Sequence, residues 1–387
     1  MKKVCVITGT RAEYGLLKPL LCNFQSDNDI ILQLLVTGTH LSSEFGYTYK
    51  EILEDGFEIS EQIEIVMSSD TEVGTSKAMG LGLISFSEAF HRLKPDLVIV
   101  LGDRYETLSA SIAALNTHIT IAHIHGGEIT EGAIDDVYRH AITKMSYLHF
   151  TSTEEYRKRV IQLGENPDRV YNVGAIAADI IKHMEYLSKE EMEKVLGLDL
   201  SRKTALFTYH PETINQVDAE RQVSNILRGL DELKDLQIVF TMANSDMYGR
   251  SINLLVEQYV KSNSSKSVLF HSLGQHRYLS CMKYCACVIG NSSSGIIEAP
   301  SLHVPTVNIG ERQRGRIQAA SVINCLTESN DVSAAIRKAL SDEFQIKAKN
   351  AVNPYGNGDT AEKIYSLIKE HLATVTAKRK KFYDINF

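Results

Sequence analysis

The sequence predicts two doubly wound α/β domains, each built around a parallel sheet. Short apolar runs recur along the chain with helical stretches between them, and the runs are apolar on consecutive residues instead of alternating. Strands of that composition are buried on both faces, as in a parallel sheet covered by helices. The chain has 387 residues, which is too long for one ordinary core and suits two domains.

The predicted elements fall into two series along the chain. The first series of strands comprises residues 4–8, 31–37, 96–101, 119–124, 147–151 and 170–173, and the second comprises residues 204–208, 237–241, 268–271, 287–289 and 306–309. Apolar residues at helical spacing mark segments such as 154–163, 219–233 and 360–372, and the charged stretch 183–201 separates the series. We therefore expect one domain at residues 1–182, a second at 183–365, and a C-terminal helix and tail at 366–387 that can pack back on the N-terminal domain.

Composition and charge exclude several classes of protein. The formal net charge is −7 and no basic stripe is present, so we expect no nucleic-acid partner, and the basic cluster at residues 378–381 is expected to be a solvated helix end. We expect no membrane span, because no apolar run reaches about twenty residues, and no exported leader. The six cysteines lie mostly in apolar runs, which indicates reduced thiols in a cytoplasmic protein instead of disulfides or zinc ligands.

Polar residues that directly follow strands are the functional candidates, because open parallel sheets bind ligands at the carboxyl ends of their strands. After the first strand, Gly9 and Thr10 open a helix whose N–H groups favour an anion, and Arg11 adds a cation suited to a phosphate. A plain turn with a surface arginine is an equally good interpretation, and no Gly-x-Gly-x-x-Gly fingerprint supports a nicotinamide dinucleotide. After the third strand, Asp103 is either a cleft carboxylate or an N-cap, and the adjacent Arg104 favours the cleft.

The densest group of titratable residues follows the strand at residues 119–124. The group consists of His123, His125, Glu128, Glu131, Asp135, Asp136, Arg139 and His140. Clustered titratable groups shift one another's pKa values and suit general acid–base chemistry, although helix-end charge with a pair between Asp136 and Arg139 or His140 is a simpler interpretation. His123 and His125 also alternate as metal ligands can, but the isoleucines beside His123 favour a buried, hydrogen-bonded imidazole.

The second series of strands is followed by residues suited to phosphates. His210 lies just past a strand end, where it can contact a phosphate or protonate a leaving group. Three serines between two glycines at residues 290–295 exceed what an N-cap needs and indicate a diphosphate cradle. Glu298, about one turn later, is a candidate partner for ribose hydroxyls, and Arg312 adds another cation after the last strand.

Several sequence blocks occur in a fixed order along nearly the whole chain. They read G-T-R-A-E-Y-G, L-G-D-R-Y-E, H-I-H-G-G-E, D-D-x-x-R-H-A-I-T-K, F-x-Y-H-P-E-T, G-N-S-S-S-G-I-I-E and G-E-R-Q. These blocks resemble the hydrolysing UDP-N-acetylglucosamine 2-epimerases of sialic-acid synthesis. The resemblance implies a GT-B-like fold of two Rossmann-like domains, with UDP in the cleft between them and held mostly by the second domain. It also implies conversion of UDP-N-acetylglucosamine and water to N-acetylmannosamine and UDP, without a metal or nicotinamide cofactor.

The resemblance also implies roles for the matched residues. Asp103, position 125 and Asp135 correspond to the family's acid–base set. Many members have Glu at position 125, whereas this chain has His125 and resembles in this respect a bacterial subgroup that also has His there. The loop before Asp135 also looks one residue longer, so His125, Glu128 or Glu131 takes over the role of that Glu. The expected substrate contacts are Arg11, Arg104, Arg139, His210, Asn244, Ser272, Ser292, Ser293, Glu298 and Arg312.

Other functions share these sequence features. Within the family, the substrate is alternatively a UDP- or GDP-linked 2,4-diacetamido sugar, or GDP-N-acetylglucosamine, on the legionaminic-acid pathway. From a different class, a GT-B glycosyltransferase has a similar fold and an acceptor site, and a binding-only sensor or a metal hydrolase is a weaker alternative. We expect a homodimer or homotetramer, because the apolar helix faces leave room for one.

Overall fold

The computed structural model describes residues 1–67, 71–130, 134–210, 216–242, 249–374 and 380–385. The chain divides into two compact units, one formed by Met1–Ile180 with Tyr355–Phe387 and the other by Ile181–Pro354. The second unit ends earlier than the expected boundary at residue 365. The physical reason is that the Tyr355 carbonyl accepts a hydrogen bond from the Ala175 N–H of the first unit at 2.7 Å.

The first unit contains a parallel sheet of seven strands. The strands are β1 (Lys2–Thr8), β2 (Ile30–Thr37), β3 (Glu61–Ile63), β4 (Leu97–Leu101), β5 (Thr120–Ile124), β6 (Leu148–Thr151) and β7 (Val170–Asn172). Their order in the sheet is β3-β2-β1-β4-β5-β6-β7. The chain adds β2 and β3 on one side of β1 and then β4 to β7 on the other side, so the strand order switches between β1 and β4. The helices are α1 (Arg11–Gln25), α2 (Tyr49–Glu54), α3 (Glu72–Leu93), α4 (Tyr105–Asn116), α5 (Ile134–Met145), α6 (Glu154–Gln162) and α7 (Ile176–His183).

The second unit repeats this architecture with six parallel strands. The strands are β8 (Thr204–Thr208), β9 (Gln237–Thr241), β10 (Ser267–Phe270), β11 (Cys287–Gly290), β12 (Thr306–Ile309) and β13 (Val322–Cys325), in the order β10-β9-β8-β11-β12-β13. The helices that follow α7 are α8 (Lys189–Leu196), α9 (Gln216–Asp231), α10 (Gly249–Ser262), α11 (Gly274–Tyr284), α12 (Ser293–Ile297), α13 (Ser329–Ala339) and α14 (Asp342–Lys349). Two doubly wound parallel sheets confirm the predicted fold class.

Side chains alternate between two hydrophobic clusters along each central strand of the first sheet. Val4 and Val6 of β1 belong to a cluster under α1, whereas Cys5 and Ile7 belong to the cluster under α3 and α4 on the opposite face. Because helices cover both faces, consecutive residues of the strand must be apolar. The edge strands β3 and β13 were missed from the sequence, since they are short and only partly buried and so carry no continuous apolar run.

The last helix, α15 (Thr360–Thr374), packs on the first unit. Its N-terminal N–H groups are capped by Asp179 of α7, which accepts from Thr360 N at 2.7 Å and from Ala361 N at 2.5 Å. The Asp179 side chain is buried. A carboxylate at a helix N-terminus satisfies free N–H groups and complements the helix dipole, so Asp179 ties α15 to the rest of the unit.

Lys380, in the basic cluster at residues 378–381, is not solvated as the sequence predicts, whereas Lys381 is exposed. The Lys380 ammonium pairs with Glu165 at 2.8 Å, and most of the Lys380 side chain is buried. Lys378 and Arg379 lie outside the described residues. Among the helices of the described ranges, none is long and apolar enough to cross a membrane.

We predict that Asp179→Ala lowers the free energy of unfolding by about 2 kcal/mol, because it removes two charge-assisted hydrogen bonds from buried N–H groups. Urea unfolding followed by circular dichroism measures the change. Asp342→Ala, which removes an exposed carboxylate from the first turn of α14, is the matched control and is expected to cost no more than about 0.5 kcal/mol. Equal midpoints for the two variants would contradict this role of Asp179.

Candidate active site

Arg139 organises the titratable residues at the carboxyl ends of β4 and β5. Its guanidinium donates to the Asp103 carboxylate and, at 3.0 Å, to the His125 carbonyl oxygen. Arg139 Nη1 also lies 3.8 Å from Glu128 Oε2, and only 5% of the arginine side chain is exposed. Asp103 is not an N-cap, since Arg104 occupies that position of α4. The structure therefore favours the interpretation of Asp103 as a site carboxylate.

The loop after β5 contains two residues with left-handed backbone conformations, His125 and Gly127. His125 has a φ of 65°, which is uncommon for a residue with a side chain, and its N–H donates to the Phe150 carbonyl at 2.8 Å. Gly127 has a φ of 79°, and a Cβ there would meet the Tyr156 carbonyl oxygen at 2.5 Å. This packing explains Gly127 of H-I-H-G-G-E, and a Cβ at Gly126 would lie only 3.0 Å from Thr143 Oγ1.

His125 and Glu128 form a pair inside this loop. The His125 Nδ1 lies 3.7 Å from Glu128 Oε1, and that oxygen accepts a hydrogen bond from Ser152 Oγ at 2.7 Å. The Glu128 side chain is buried and that of His125 is 13% exposed. The pair places a buried carboxylate beside an imidazole, and both are groups that can take part in proton transfer.

Asp135 lies in the first turn of α5, within the field of the same charges. Burial raises its pKa, and the positive charges of Arg104 and Arg139 oppose that rise. The Arg104 guanidinium is paired with Glu106, Nη2 to Oε1 at 3.0 Å, and the Glu106 side chain is 2% exposed. The structure thus brings together Asp103, His125, Glu128, Asp135 and Arg139, whereas Arg104 is held by a buried carboxylate that the sequence reasoning missed.

The turn after β1 is occupied by an internal carboxylate. Glu13 Oε2 accepts from Gly9 N at 2.7 Å and from Thr10 N at 3.2 Å, which completes a capping box at the start of α1. These N–H groups therefore have an acceptor within the chain, as in the interpretation of a plain turn with a surface arginine. Arg11 lies on the surface, with Nε 3.0 Å from Glu51 Oε2.

His123 is buried and hydrogen-bonded, as its flanking isoleucines indicate. Its Nδ1 lies 3.1 Å from Thr143 Oγ1 and its Nε2 lies 2.8 Å from the Gly102 carbonyl oxygen. Burial lowers the pKa of His123 to about 3, so the imidazole is neutral. His123 therefore contacts α5 through Nδ1 and the loop that carries Asp103 through Nε2.

His210 and Asn291 join two strand ends in the second unit. His210 N donates to Asn291 Oδ1 at 2.7 Å, and Asn291 Nδ2 returns a hydrogen bond to the His210 carbonyl at 2.9 Å. The Asn291 carbonyl in turn accepts from Arg312 Nη1 at 3.1 Å and from Gln313 Nε2 at 2.8 Å. The buried Asn291 therefore positions His210 and Arg312, two of the predicted contacts, at the carboxyl ends of β8 and β12.

The serines after β11 form a hydroxyl cluster at the start of α12. Ser292 is the N-cap, its Oγ lies 3.1 Å from Ser294 Oγ, and Ser293 is the first residue of the helix. Tyr278 OH lies 2.7 Å from Ser294 Oγ. Burial raises the pKa of Glu298, at the end of α12, to about 7. Ser292 is thus the N-cap of α12, as the interpretation of a simple helix cap predicts, and Ser293 and Ser294 add two more hydroxyl groups at the carboxyl end of β11.

Some predicted residues lie elsewhere or outside the described structure. Ser272 is exposed after β10, where its Oγ accepts from Gly274 N at 3.1 Å. Asp136 pairs with His140 at 3.5 Å, while the neighbouring Arg139 turns to Asp103. Glu131 and Asn244 lie outside the described residues.

The sequence reasoning missed several residues that form hydrogen bonds to the predicted site residues or to the turns that carry them. They are Glu13, Glu106, Ser152, Tyr278, Asn291 and Gln313. Several stand inside the quoted sequence blocks, so their positions in G-T-R-A-E-Y-G, L-G-D-R-Y-E, G-N-S-S-S-G and G-E-R-Q were available as a signal. Ser152 and Tyr278 carry no such signal.

Comparison with known proteins gives matches over the whole chain. A family model described as UDP-N-acetylglucosamine 2-epimerase matches residues 23–369. A Campylobacter jejuni protein named GDP/UDP-N,N'-diacetylbacillosamine 2-epimerase (hydrolyzing) is 45% identical over 99% of both chains. The Escherichia coli polysialic acid biosynthesis protein P7 is 37% identical over 100% of this chain and 98% of its own. A Legionella pneumophila protein named UDP-N,N'-diacetylbacillosamine 2-epimerase (hydrolyzing) is 35% identical over 95% of this chain and 96% of its own.

Solved structures agree with the fold. The crystal structure of UDP-GlcNAc 2-epimerase from Neisseria meningitidis bound to UDP-GlcNAc has a TM-score of 0.79 at 20% identity, and covers 96% of this chain and 100% of its own. This likeness confirms the GT-B-like fold class. The family model and the relatives named above place the chain among the nucleotide-sugar 2-epimerases. The chain belongs to the UDP-N-acetylglucosamine 2-epimerase family, and it is an enzyme of the hydrolysing 2-epimerase class.

We predict that Glu13 makes stability fall between about pH 4.5 and pH 7. Burial and then the charge of Glu106 raise the Glu13 pKa to about 7, so the folded chain binds a proton there more tightly than the unfolded chain. The stabilisation from this group is complete below the unfolded pKa and is lost as the pH rises through the folded one. In Glu13→Gln, which keeps the capping box, the decline from pH 5 to pH 7 should shrink by about 2 kcal/mol.

Urea midpoints at several pH values measure this slope. Glu51→Gln, at the exposed carboxylate that pairs with Arg11, is the control and should leave the slope unchanged. Parallel pH profiles for wild type and Glu13→Gln would show that the Glu13 pKa is not raised.

Proposed function

We propose that this enzyme hydrolyses UDP- or GDP-linked N,N'-diacetylbacillosamine and inverts the configuration at C2 of the sugar. The observation that carries this proposal is the 45% identity, over 99% of both chains, to the Campylobacter jejuni relative of that name. The Legionella pneumophila relative, named for the UDP-linked sugar, supports the same substrate. A 2,4-diacetamido sugar therefore replaces UDP-N-acetylglucosamine of sialic-acid synthesis as the first candidate.

UDP-N-acetylglucosamine is the second candidate substrate. A Neisseria meningitidis relative named UDP-N-acetylglucosamine 2-epimerase is 31% identical over 100% of both chains. The two sugars share the 2-acetamido group and the C1 phosphate ester, which are the parts that react. They differ at C4 and C6, so the choice between them is a matter of contacts away from the reacting atoms.

We assign the reaction to an elimination followed by a hydration. A base removes the C2 proton, the electron pair of that C–H bond forms the C1=C2 double bond, and the bond from C1 to the diphosphate oxygen breaks. The nucleoside diphosphate leaves with the electron pair of the broken C1–O bond, and a glycal remains. Water then adds its hydroxyl at C1, while a proton returns to C2 on the opposite face.

The first unit supplies the proton-transfer groups in this proposal. Asp103 and Asp135 act with His125, whose imidazole titrates near neutral pH when unperturbed. We assign to Glu128 the stabilisation of the His125 imidazolium, since Ser152 and Arg139 hold that carboxylate in place at the back. The part of Glu131 falls outside the described structure.

The second unit supplies the contacts to the nucleoside diphosphate in this proposal. His210, Arg312 and the hydroxyls of Ser292 and Ser293 are donors grouped at neighbouring strand ends, and such preorganised donors stabilise the charge that develops on a departing diphosphate. Glu298 accepts from the ribose hydroxyls. The six cysteines are all free, which supports our proposal that the enzyme works in the reducing cytoplasm.

We predict that kcat/KM for the UDP- or GDP-linked diacetamido sugar exceeds that for UDP-N-acetylglucosamine by at least about 100-fold, because a site built for the 4-acetamido group leaves its polar groups unpaired with the 4-hydroxyl sugar. Release of the nucleoside diphosphate measures the rate, and NMR identifies the free sugar. A larger kcat/KM with UDP-N-acetylglucosamine, and N-acetylmannosamine as its product, would transfer the assignment to the second candidate.

We predict that Asp103→Asn lowers kcat by about 100-fold or more, since an amide cannot transfer the proton. Reaction in deuterated water should place deuterium at C2 of the product. Asp168→Asn, at an exposed aspartate before β7, is the control and should keep wild-type turnover. Retention of the original hydrogen at C2 would exclude elimination, and full activity of Asp103→Asn would exclude Asp103 as a proton-transfer group.

A further inference from the structure

The segment at residues 380–385 is attached to the end of α5. Lys380 Nζ donates to the carbonyl oxygens of Lys144 at 2.5 Å and Ser146 at 2.6 Å, and it lies 2.8 Å from Glu165 Oε2. Further along, Tyr383 N donates to the Gly164 carbonyl at 3.0 Å. Only 24% of the Lys380 side chain is exposed. The segment is therefore held by a specific set of bonds.

The contacts of Lys380 match what the C-terminus of a helix lacks. The last carbonyl groups of a helix have no N–H partner within the helix, and a cation at that end complements the helix dipole. Lys144 belongs to the last turn of α5, and Ser146 follows its end at Met145. The three N–H bonds of one ammonium face three oxygens, so Lys380 satisfies these carbonyls and a carboxylate together.

The carboxylate in this set is Glu165, whose side chain is 0% exposed. It also accepts from Lys144 Nζ at 2.9 Å and lies 3.0 Å from His149 Nε2. Burial alone would raise the pKa of Glu165, but the hydrogen bonds from His149, Lys380 and Lys144 outweigh burial and lower it. An ionised carboxylate at this depth requires its cations, so loss of Lys380 leaves a buried charge with one fewer partner.

The network of Lys380, Glu165, Lys144 and His149 contacts two elements, α5 and β6, that are connected to the acid–base residues. α5 carries Asp135 and Arg139, and Arg139 holds Asp103 and the His125 carbonyl. On the other side, His149 of β6 is the register partner of His123 in β5, whose strand leads directly into His125.

We propose that Lys380 is a positioning residue for the reaction, which acts by fixing the C-terminal end of α5 and thereby the placement of Asp135 and Arg139. The proposal rests on the proposed function for the roles of Asp103 and Asp135. It assigns to the C-terminal segment a part in turnover, beyond the family's sequence blocks.

The protonation of Lys380 provides a readout that a purely structural role would not give. Burial lowers its pKa to about 8, against the opposing effect of Glu165, and the charges of Lys144 and Arg169 lower it further. The groups that face it are Glu165, Lys144, Arg169 and, through Glu165, His149. A neutral amine has two N–H bonds for three acceptors, so one of the three contacts that Lys380 makes is lost as the pH rises through about 8.

Global stability should not follow the same course. The unfolded chain binds the Lys380 proton more tightly than the folded chain between pH 8 and the unfolded pKa of about 10.4, so this group adds stability as the pH rises there. A fall in kcat above about pH 8 without a fall in the unfolding temperature is therefore the signature of positioning.

The experiment compares Lys380→Met and Lys380→Arg with the control Lys381→Met, which alters the exposed neighbouring lysine. We expect Lys380→Met to lower kcat about tenfold with KM changed less than about twofold, and Lys380→Arg and Lys381→Met to stay near wild type. The alkaline fall in kcat should move to higher pH in Lys380→Arg, because arginine keeps its charge.

Hydrogen exchange gives a second readout that needs no substrate. Amides of the α5 peptide at residues 134–146 should exchange faster in Lys380→Met than in Lys381→Met. Equal kcat and equal exchange in these two variants would overturn the proposal, and so would superimposed pH profiles of wild type and Lys380→Arg, a comparison that stands even if Lys380→Met does not fold. Absence of turnover in wild type with every sugar nucleotide would instead refute the proposed function, while the exchange data still decide the role of Lys380.

Discussion

The burial of the Arg139 guanidinium is the constraint on which the first unit's candidate site depends. A buried charge without partners costs several kcal/mol, so the chain must bring anions and carbonyls to it. Asp103 comes from the end of β4, Glu128 and the His125 carbonyl come from the loop after β5, and α5 supplies the cation. These contacts, together with the hydrogen bond from His125 N to the Phe150 carbonyl, stabilise the loop and offset the cost of the left-handed backbone at His125.

The two units use different chemistry at their strand ends. In the first, ionisable side chains face one another, and burial raises the pKa of Asp135 and of Glu13 while the nearby arginines oppose the rise. In the second, most of the donors are neutral: the Asn291 amide holds the His210 backbone, and serine hydroxyls surround the start of α12. The first arrangement suits proton transfer, and the second suits hydrogen bonding to an anion.

The fold was predictable from the sequence because its central strands are buried on both faces, whereas β3 and β13 at the sheet edges lack that pattern. The sequence indicated which residues follow the strands, but not which side chains they pair with through hydrogen bonds and ion pairs. Asp103 is paired with Arg139, 36 residues away, and the N–H groups after β1 donate to Glu13. The depth of Lys380 follows from Glu165, which local sequence does not reveal.

The return of the chain to the first unit makes the second unit an insertion. Ile364, Ile368 and Leu372 of α15 belong to the same hydrophobic cluster as Val4 and Val6 of β1. A nascent chain released as far as Pro354 thus already holds β1–β13, yet the cluster beside α1 stays incompletely covered until α15 leaves the ribosome. The order of maturation is then opposite to the order of synthesis: the later-made unit can finish folding while the earlier-made one waits for α15.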